Sequence, residues 1–239
     1  MATERLAIGV AVEVPNASAA SAPLLRALGE AQRRQLAYAF AKGLLDVIAS
    51  LLLIVILLPL FVAIAIAIRL DSPGAVFYRA ERVGRFGRPF TVLKFRSMRA
   101  GCSATPHVQF VKSLLRDGKT CDLYKVDADA RVTRVGAFLR RTSIDEFPQL
   151  WNVLCGDMSL VGPRPDVPYA VTDYADWMRG RLAVRPGMTG FWQVSGRSRL
   201  SLLDMYRLDV EYAQRASLLF DLRILARTVP VVFGRDGAA

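Results

Sequence analysis

One long apolar run stands out along the chain. Residues 47–68 carry no charge, and 20 of these 22 side chains are apolar; the exceptions are Ser50 and Pro59. A helix of this length reaches about 33 Å at ~1.5 Å per residue, enough for a hydrocarbon core of ~30 Å. No other run approaches the ~18 apolar residues of a second membrane helix. The pattern therefore predicts one membrane segment and excludes a polytopic carrier.

Pro59 lies inside this run and changes its interpretation. A proline removes a main-chain donor and clashes with the preceding turn. The pieces of 12 and nine residues on either side are each too short to span a bilayer. Both flanks are also basic, with Arg33, Arg34 and Lys42 before the run and Arg69, Arg79 and Arg82 after it. Because positive charge marks the cytoplasmic side, we expect a re-entrant helix–break–helix segment, with a single spanning helix as the alternative.

The remaining pattern predicts a mainly helical α+β domain. Short β-like runs at residues 75–78 and 90–95 flank a glycine-rich turn and predict a hairpin. Helical periodicity recurs at 133–141, 144–154, 167–181, 202–213 and from Leu218 onward. Residues 100–125 are polar and mixed, so we expect a loop there with a short helix at 107–115.

The last predicted helix is amphipathic. Its apolar stripe and neighbouring cations are Leu218, Leu222, Leu225, Val229, Arg223 and Arg227. Such a helix fits either a core or a membrane interface. We therefore include amphipathic interfacial helices in the expected fold.

These patterns divide the chain into three parts. Residues 1–25 are rich in Ala, Ser and Pro and predict a mobile tail. Residues 26–70 comprise a basic amphipathic lead-in and the re-entrant segment broken at Pro59. Residues 71–239 form the expected cytoplasmic catalytic domain.

Composition narrows the possible functions. The 239 residues are 53% hydrophobic, yet the formal net charge is +11. Outside the apolar run about half the residues are apolar, as in ordinary globular proteins. Three cysteines without paired spacing and one histidine exclude a secreted disulfide scaffold and leave little for a zinc site or a His-based triad. The cysteine content fits a reducing compartment.

The segment 140–152 carries the richest candidate chemistry. The simplest interpretation is structural, because Ser143 and Glu146 have capping-box spacing. The functional interpretation places Arg140 and Arg141 before a helix N-terminus, which would bind an anion. The adjacent carboxylates Asp145 and Glu146 could then hold a divalent cation, and a carboxylate can attack phosphorus when cations suppress the repulsion between anions.

Three further segments carry cations on rigid or glycine-rich turns. Residues 156–165 place Arg164 between two prolines, which fixes its direction. Residues 185–197 end at Arg197 and contain Phe191 and Trp192, which could stack on a base, lie in the core or face the membrane. Residues 94–98 end a strand with Lys94 and Arg96 on one face; alone, this pair predicts a membrane-surface patch.

Taken in order, residues 94–98, 140–152, 156–165 and 185–197 resemble the bacterial sugar transferase family, the monotopic polyprenyl-phosphate phosphoglycosyl transferases. The resemblance covers about residues 40 to 233 and implies a membrane-associated catalytic domain with a re-entrant helix. It departs from the family at the helix break, where Leu58 rather than serine precedes Pro59. Because it contains no further apolar run, the chain resembles the small form of the family.

The resemblance implies a reaction and assigns roles. A sugar-1-phosphate would pass from a UDP-sugar to undecaprenyl phosphate, with UMP released, at the cytoplasmic face of the bacterial inner membrane. Asp145 matches the family's nucleophile, which forms a phosphosugar–aspartyl intermediate. Glu146 matches its partner carboxylate, and both carboxylates are the expected Mg²⁺ ligands. The remaining family cations match the phosphate-binding residues Lys94, Arg140, Arg164 and Arg197.

Partners and pathway follow from the same resemblance. We expect exopolysaccharide, capsule or O-antigen type glycan synthesis, contact with membrane lipid and no nucleic acid, and the sequence is compatible with a homodimer. The competing hypothesis is a non-enzymatic membrane-anchored module, motivated by the charge of +11. The sequence leaves the hexose open.

Overall fold

A computed structural model of the chain describes residues 17–99 and 131–233. The loop and short helix expected within residues 100–125 lie outside the described residues, as does most of the tail expected at 1–25. Helix α1 (Ala17–Asp71) begins inside that expected tail, so its last residues are helical. The chain divides into two compact units at the Phe40/Ala41 boundary. The tertiary contacts described below lie within the second unit.

Helix α1 contains the whole apolar run and continues through Pro59. The expected break in helical structure at Pro59 is therefore corrected: a proline removes one main-chain donor, and the residues around it can keep helical geometry. Within the described residues, Gln32–Asp71 is the one stretch long and apolar enough to cross a membrane, and its most apolar 18-residue window has a mean hydropathy of 3.3.

The predicted hairpin follows α1. Strands β1 (Phe77–Val83) and β2 (Pro89–Phe95) pair antiparallel, with Phe77 opposite Phe95 and Val83 opposite Pro89. A 3-10 turn at Arg85–Gly87 joins them. Buried side chains lie on both faces of the hairpin, Ala80 and Val92 on one and Val83 and Phe95 on the other. Both faces of this part of the hairpin therefore pack on other elements, in contrast to a strand with one face in solvent.

Helix α2 (Arg134–Thr142) packs against the end of the hairpin. The Thr133 hydroxyl caps its first turn by accepting from the Gly136 N–H at 3.0 Å. Gly136 lies so close to the main chain of Ser97 that an added Cβ would be 2.0 Å from the Ser97 carbonyl oxygen. Only glycine permits this approach, which seats Leu139 in the core beside Phe95.

Beyond α2 the sequence prediction of one helix at 144–154 is wrong in detail. The chain forms a 3-10 turn at Ile144–Glu146 and then a short helix, α3 (Gln149–Leu154), preceded by Pro148. Ser143 adopts a left-handed conformation with φ of 57° and ends α2, while Pro148 fixes the start of α3. These two residues split the predicted helix.

The rest of the domain is built from short elements and two longer helices. Strands β3 (Ser159–Val161) and β4 (Gly187–Thr189) pair in parallel. Between them, the helix predicted at 167–181 is instead the one-turn helix α4 (Pro168–Val171) and a 3-10 segment at Asp176–Ala183. Helices α5 (Leu202–Arg215) and α6 (Leu218–Phe233) complete the chain. The fold is thus mostly helical with two small two-stranded sheets.

Both ends of the apolar run pack on this domain. Near its start, the Lys42 ammonium contacts the Asp221 carboxylate at 2.8 Å, and the buried Asp46 accepts from the Leu160 N–H at 2.9 Å. Near its end, Ile64 and Ile68 pack with Phe95 and Leu139. These contacts join the apolar segment to the rest of the domain.

The apolar stripe predicted on the last helix is divided in the structure. The buried face of α6 is centred on Asp221 and Ile224, which sequence reasoning did not select. Leu222 and Val229 are exposed, as are Arg223 and Arg227. One face of the helix packs in the core, and the other face exposes apolar and basic side chains.

Candidate active site

Asp145 and Glu146 lie in the 3-10 turn between α2 and α3. Ser143 does not cap this turn with its side chain, as the capping-box interpretation required; its N–H instead bonds the Arg140 carbonyl and closes α2. The two carboxylates therefore follow a helix C-terminus. The positive environment predicted from a helix N-terminus is supplied by side chains instead.

Two cationic side chains hold Glu146. The Lys94 ammonium, from β2, donates to Glu146 Oε1 at 2.8 Å. The Arg164 guanidinium grips the same carboxylate with two donors, Nη1 to Oε2 at 3.0 Å and Nη2 to Oε1. The forked guanidinium matches the planar carboxylate, so the pair fixes direction as well as charge. Both Glu146 oxygens are thus occupied.

The two adjacent acids have opposite pKa shifts. Burial acts to raise the pKa of Glu146, but Arg164 and Lys94 outweigh it and hold that pKa far below its usual range. Burial raises the pKa of Asp145, Glu146 adds to the rise, and Lys94, Arg164 and Arg140 oppose it. Glu146 is thereby held as an anion, whereas the charged form of Asp145 is less stabilised.

Asp145 is available for contact with a substrate. In the part of the chain that the structure describes, its carboxylate makes no hydrogen bond or ion pair within the usual distances. The side chain is partly exposed. A half-buried carboxylate beside several cations and without a bonding partner is the arrangement expected for a nucleophile.

The other sequence-predicted cations surround the same turn. Arg140 is exposed on the last turn of α2 and lies close enough to lower the pKa of Asp145. Arg197 is half-buried; burial lowers its pKa, as does Arg164, and Glu146 opposes the change. The structure thus brings all six selected residues together. Four cations face two acids, which leaves a net charge of +2 for an anionic ligand.

Lys94 and Arg96 point to different places, although the strand pattern put them on one face. The Arg96 guanidinium is buried and donates to the main-chain carbonyls of Ser72 and Pro73 at 2.6 and 2.7 Å. It therefore ties β2 to the end of α1. Lys94 belongs to the carboxylate site rather than to a membrane-surface patch.

Several structural residues in this region were missed by sequence reasoning. Asn152 bridges α3 to β2 by accepting from the Leu93 N–H at 3.0 Å and donating to the Thr91 carbonyl at 2.7 Å. Arg181 and Asp209 form a buried ion pair at 2.6 Å. The available signal was Asp209 itself, an acid that shares the otherwise apolar face of α5 with Met205 and Tyr212.

The aromatic pair at 191–192 was open to three interpretations. Phe191 packs edge-on against Phe220 of α6, with ring centroids 5.0 Å apart. Phe191 therefore lies against the core, and Trp192 begins a 3-10 turn. The contacts favour a packing role for Phe191.

The described residues fit a divalent cation through one carboxylate. No group of three His, Cys, Asp or Glu side chains in residues 17–99 and 131–233 is placed to hold a metal. Glu146 already accepts from Lys94 and Arg164 with both oxygens, whereas Asp145 has free lone pairs. Mg²⁺ commonly binds through one or two carboxylates together with substrate phosphates. Asp145 fits that mode, and Glu146 fits it only if it exchanges a cationic partner.

Comparison with known proteins gives a consistent result. The family model described as bacterial sugar transferase matches residues 37–235. The UDP-galactose-lipid carrier transferase of Erwinia amylovora is 41% identical over 199 residues, which cover 83% of this chain and 42% of the relative. The UDP-glucose:undecaprenyl-phosphate glucose-1-phosphate transferase of Caulobacter vibrioides is 41% identical, covering 82% of this chain and 71% of the relative.

The coverage differs among the relatives. The exopolysaccharide production protein ExoY of Rhizobium meliloti is 38% identical over 192 residues, covering 80% of this chain and 85% of the relative. By contrast, the chain spans less than half the length of the Erwinia relative. The match by the family model nonetheless covers most of the chain and contains the entire carboxylate site. The chain therefore belongs to the bacterial sugar transferase family.

Proposed function

We propose that this protein transfers a sugar-1-phosphate from a UDP-sugar to undecaprenyl phosphate, with release of UMP. The observation that carries the proposal is the pairing of two unlike carboxylates: Glu146 is held by Lys94 and Arg164, and the adjacent Asp145 is free. The relatives named as transferases of galactose and glucose phosphates to lipid carriers support this chemistry.

The first step in this proposal is attack by Asp145. One carboxylate oxygen forms a bond to the sugar-bearing phosphorus of the UDP-sugar, and the bond from that phosphorus to the bridging oxygen breaks. UMP leaves with the bonding electrons, and a phosphosugar–aspartyl intermediate remains. The cationic side chains of Lys94, Arg140, Arg164 and Arg197 would offset the negative charge of both phosphates as it shifts to the leaving oxygen.

The second step regenerates the enzyme. An oxygen of undecaprenyl phosphate attacks the same phosphorus, and the acyl-phosphate bond to Asp145 breaks. The products are undecaprenyl-diphospho-sugar and a free Asp145 carboxylate. Glu146 has a positioning role in both steps, because it fixes Lys94 and Arg164 at the reacting phosphate.

Mg²⁺ is the cofactor that we propose, bound by Asp145 and the donor phosphates. When bound, it would supply further positive charge to the phosphates. The four cations and the free Asp145 oxygens are the features of this chain that suit such a ligand. The sequence also made Glu146 a candidate ligand. Glu146 would bind the cation only in place of one of its present partners, Lys94 or Arg164.

The proposal is tested by a UMP-release assay. Purified protein with Mg²⁺ and undecaprenyl phosphate should release UMP from one member of a panel of UDP-sugars. The Erwinia and Caulobacter names make UDP-galactose and UDP-glucose the first to try. Release of more than one UMP per enzyme that requires the lipid phosphate supports the transfer, whereas no release from any UDP-sugar in the panel argues against it.

We further propose that the apolar segment enters and leaves the membrane on the cytoplasmic face. The segment contacts one domain along its length: Lys42 and Asp46 reach α6 and β3, and Ile64 and Ile68 reach β2 and α2. Between them, one side of the helix, including Ile54 and Leu57, packs against the domain core. A domain that holds both ends of the segment supports their placement on one side of the bilayer. The central side chains, such as Leu52, Ile56 and Val62, are exposed and apolar, as lipid contact requires.

Cysteine labelling tests this topology. In a cysteine-free background, Gln35→Cys and Ala75→Cys place thiols at exposed positions on the two flanks. We expect neither to react with a membrane-impermeant maleimide in intact cells and both to react after permeabilisation. Cys155, which is exposed in the catalytic domain, provides the internal reference in a variant that retains it alone. Labelling of one flank from outside would establish a spanning helix instead.

The charge of +11 also motivated a non-enzymatic binding module. The structure directs several of these cations to carboxylates, as in the pairs Lys94–Glu146, Arg164–Glu146 and Arg181–Asp209. Others, such as Arg223 and Arg227, lie beside exposed apolar residues of α6, which favours a lipid surface. We therefore retain the enzyme, at the inner membrane of a bacterium, as the proposal.

A further inference from the structure

A buried cation lies beneath the loop that carries Arg164. The Arg181 side chain is 3% exposed, and its Nη2 and Nε donate to Asp209 Oδ2 at 2.6 and 3.1 Å. The ring of Tyr206 lies against the same guanidinium, 4.6 Å from its carbon to the ring centroid. Asp209 is 1% exposed. This ion pair has no access to solvent.

Arg181 also donates to the Tyr174 hydroxyl, and its other donors are directed to the Arg164 loop. Arg181 Nη2 donates to the main-chain carbonyl of Arg164 at 2.7 Å, and Nη1 donates to Asp166 Oδ2 at 3.3 Å. Tyr174 and Tyr206 donate their hydroxyls to the same Asp166 oxygen. The Asp166 carbonyl in turn accepts from the Val83 N–H at 2.9 Å, which joins the loop to β1. The loop is therefore held at Arg164 and at Asp166.

We infer that Arg181 and Asp209 are positioning residues for the transfer reaction, which act by fixing the main chain of Arg164 so that its guanidinium meets Glu146. Arg181 provides the contacts to the loop, and Asp209 neutralises and orients Arg181. Neither residue touches the reacting carboxylate. The inference rests on the proposed function for its kinetic readout, but its geometric content concerns only Arg164 and Glu146.

Stability alone does not explain this pair. Burying two charges costs several kcal/mol per ion, and apolar residues of similar volume often stabilise a protein as well or better. Asp209 Oδ1 is also buried without a hydrogen-bond partner in the part of the chain described, which adds to the cost. An apolar replacement would lose the forked guanidinium, which donates to the Asp209 carboxylate and to the Arg164 main-chain carbonyl at the same time. That geometry serves the direction of Arg164.

The test is a double-mutant cycle between Arg181 and Arg164. Arg181→Lys keeps the charge opposite Asp209 but cannot also reach the Arg164 carbonyl through a planar fork. We expect kcat/KM for the UDP-sugar to fall about 10- to 100-fold, since a displacement of about 1 Å can cost ~10²-fold. Arg164→Gln should remove at least as much. In the double variant, Arg181→Lys should add less than about a twofold loss, because its effect passes through Arg164.

A matched control makes the same chemical change elsewhere. Arg96 is also a buried arginine that donates to main-chain carbonyls, but it joins β2 to the end of α1. Arg96→Lys should lower the thermal midpoint, because it loses hydrogen bonds in a buried position, and should leave kcat/KM within about threefold of the parent, because Arg96 contacts none of the site residues. If Arg181→Lys does not fold, Tyr206→Phe replaces it, since that change removes only the hydroxyl that donates to Asp166.

A second readout separates this inference from the proposed function. Nitrogen NMR of the guanidinium groups reports on the contact of Arg164 with Glu146 even in a protein that releases no UMP. Arg181→Lys should move the Arg164 side-chain resonances toward those seen in Glu146→Gln, whereas Arg96→Lys should not. Multiplicative losses in the double variant, or unchanged Arg164 resonances, would overturn the positioning role. Loss of UMP release from the parent protein would count against the proposed function alone.

Discussion

Replacing Asp145 with asparagine is expected to abolish UMP release, with a fall in kcat of at least about a thousandfold. An amide is a far weaker nucleophile than a carboxylate and cannot form the phosphosugar–aspartyl bond. The change keeps the volume of the side chain and removes no hydrogen bond, because Asp145 makes none with the described residues. Folding should therefore be preserved. The assay is UMP release under single-turnover conditions, which isolates the first step.

A paired measurement makes this result specific. Asp176→Asn is the matched control, because the Asp176 side chain is fully exposed and makes only a 3.9 Å contact with Arg179. It should release UMP at the parental rate. In the parent protein, a UDP-sugar labelled in the sugar should leave label covalently bound to the peptide that contains Asp145. Retained activity or retained label in Asp145→Asn would remove Asp145 from the nucleophile role.

Replacing Glu146 with glutamine is expected to lower kcat/KM by about a hundredfold while Asp145 is intact. The amide supplies one acceptor in place of two charged oxygens, and its NH₂ group faces donors from Lys94 or Arg164. Both cations would then turn away from the site. A donor facing a donor in a half-buried site should also destabilise the fold by about 1–3 kcal/mol.

The control for this variant is Glu81→Gln on the exposed side of β1. It makes the same chemical change outside the site and should alter neither activity nor the thermal midpoint measurably. Chemical denaturation separates the stability loss of Glu146→Gln from its kinetic loss, since activity is measured well below the transition. A Glu146→Gln variant with parental kcat/KM would show that the two cations are positioned without their carboxylate.

The parts of the fold that follow from local pattern were predictable. The hairpin around the glycine-rich turn is confirmed, although its first strand is Phe77–Val83 rather than residues 75–78. The apolar run is helical, since a long uncharged segment leaves the main chain few other ways to satisfy its hydrogen bonds, but the break expected at Pro59 is not present. The family motifs also brought the six site residues into one place, although their roles stay predictions.

The parts that depend on long-range contacts were not predictable. A helical periodicity across residues 144–154 cannot show that Ser143 turns left-handed or that the cations come from β2 and from the loop at Arg164. From the sequence, Lys42 was interpreted as a charge that flanks the membrane segment, but its partner in the structure, Asp221, lies 179 positions away. Arg181 stood only as the end of a predicted helix, whereas its acid partner lies on α5. Sequence spacing carries no information about such pairs.

The two places where the apolar segment contacts the domain bear on the distance between the active site and the lipid headgroups. Lys42 and Asp46 bind the domain before the lipid-exposed stretch, and Ile64 and Ile68 pack on it afterwards. A catalytic domain on a flexible tether would sample many heights above the bilayer, and its site would meet a lipid headgroup only part of the time. In the re-entrant topology that we propose, these contacts would set one immersion depth, and the distance from Asp145 to the headgroup plane would be a fixed dimension of the protein. An acceptor whose phosphate sits deeper or shallower than that plane would be discriminated by depth alone.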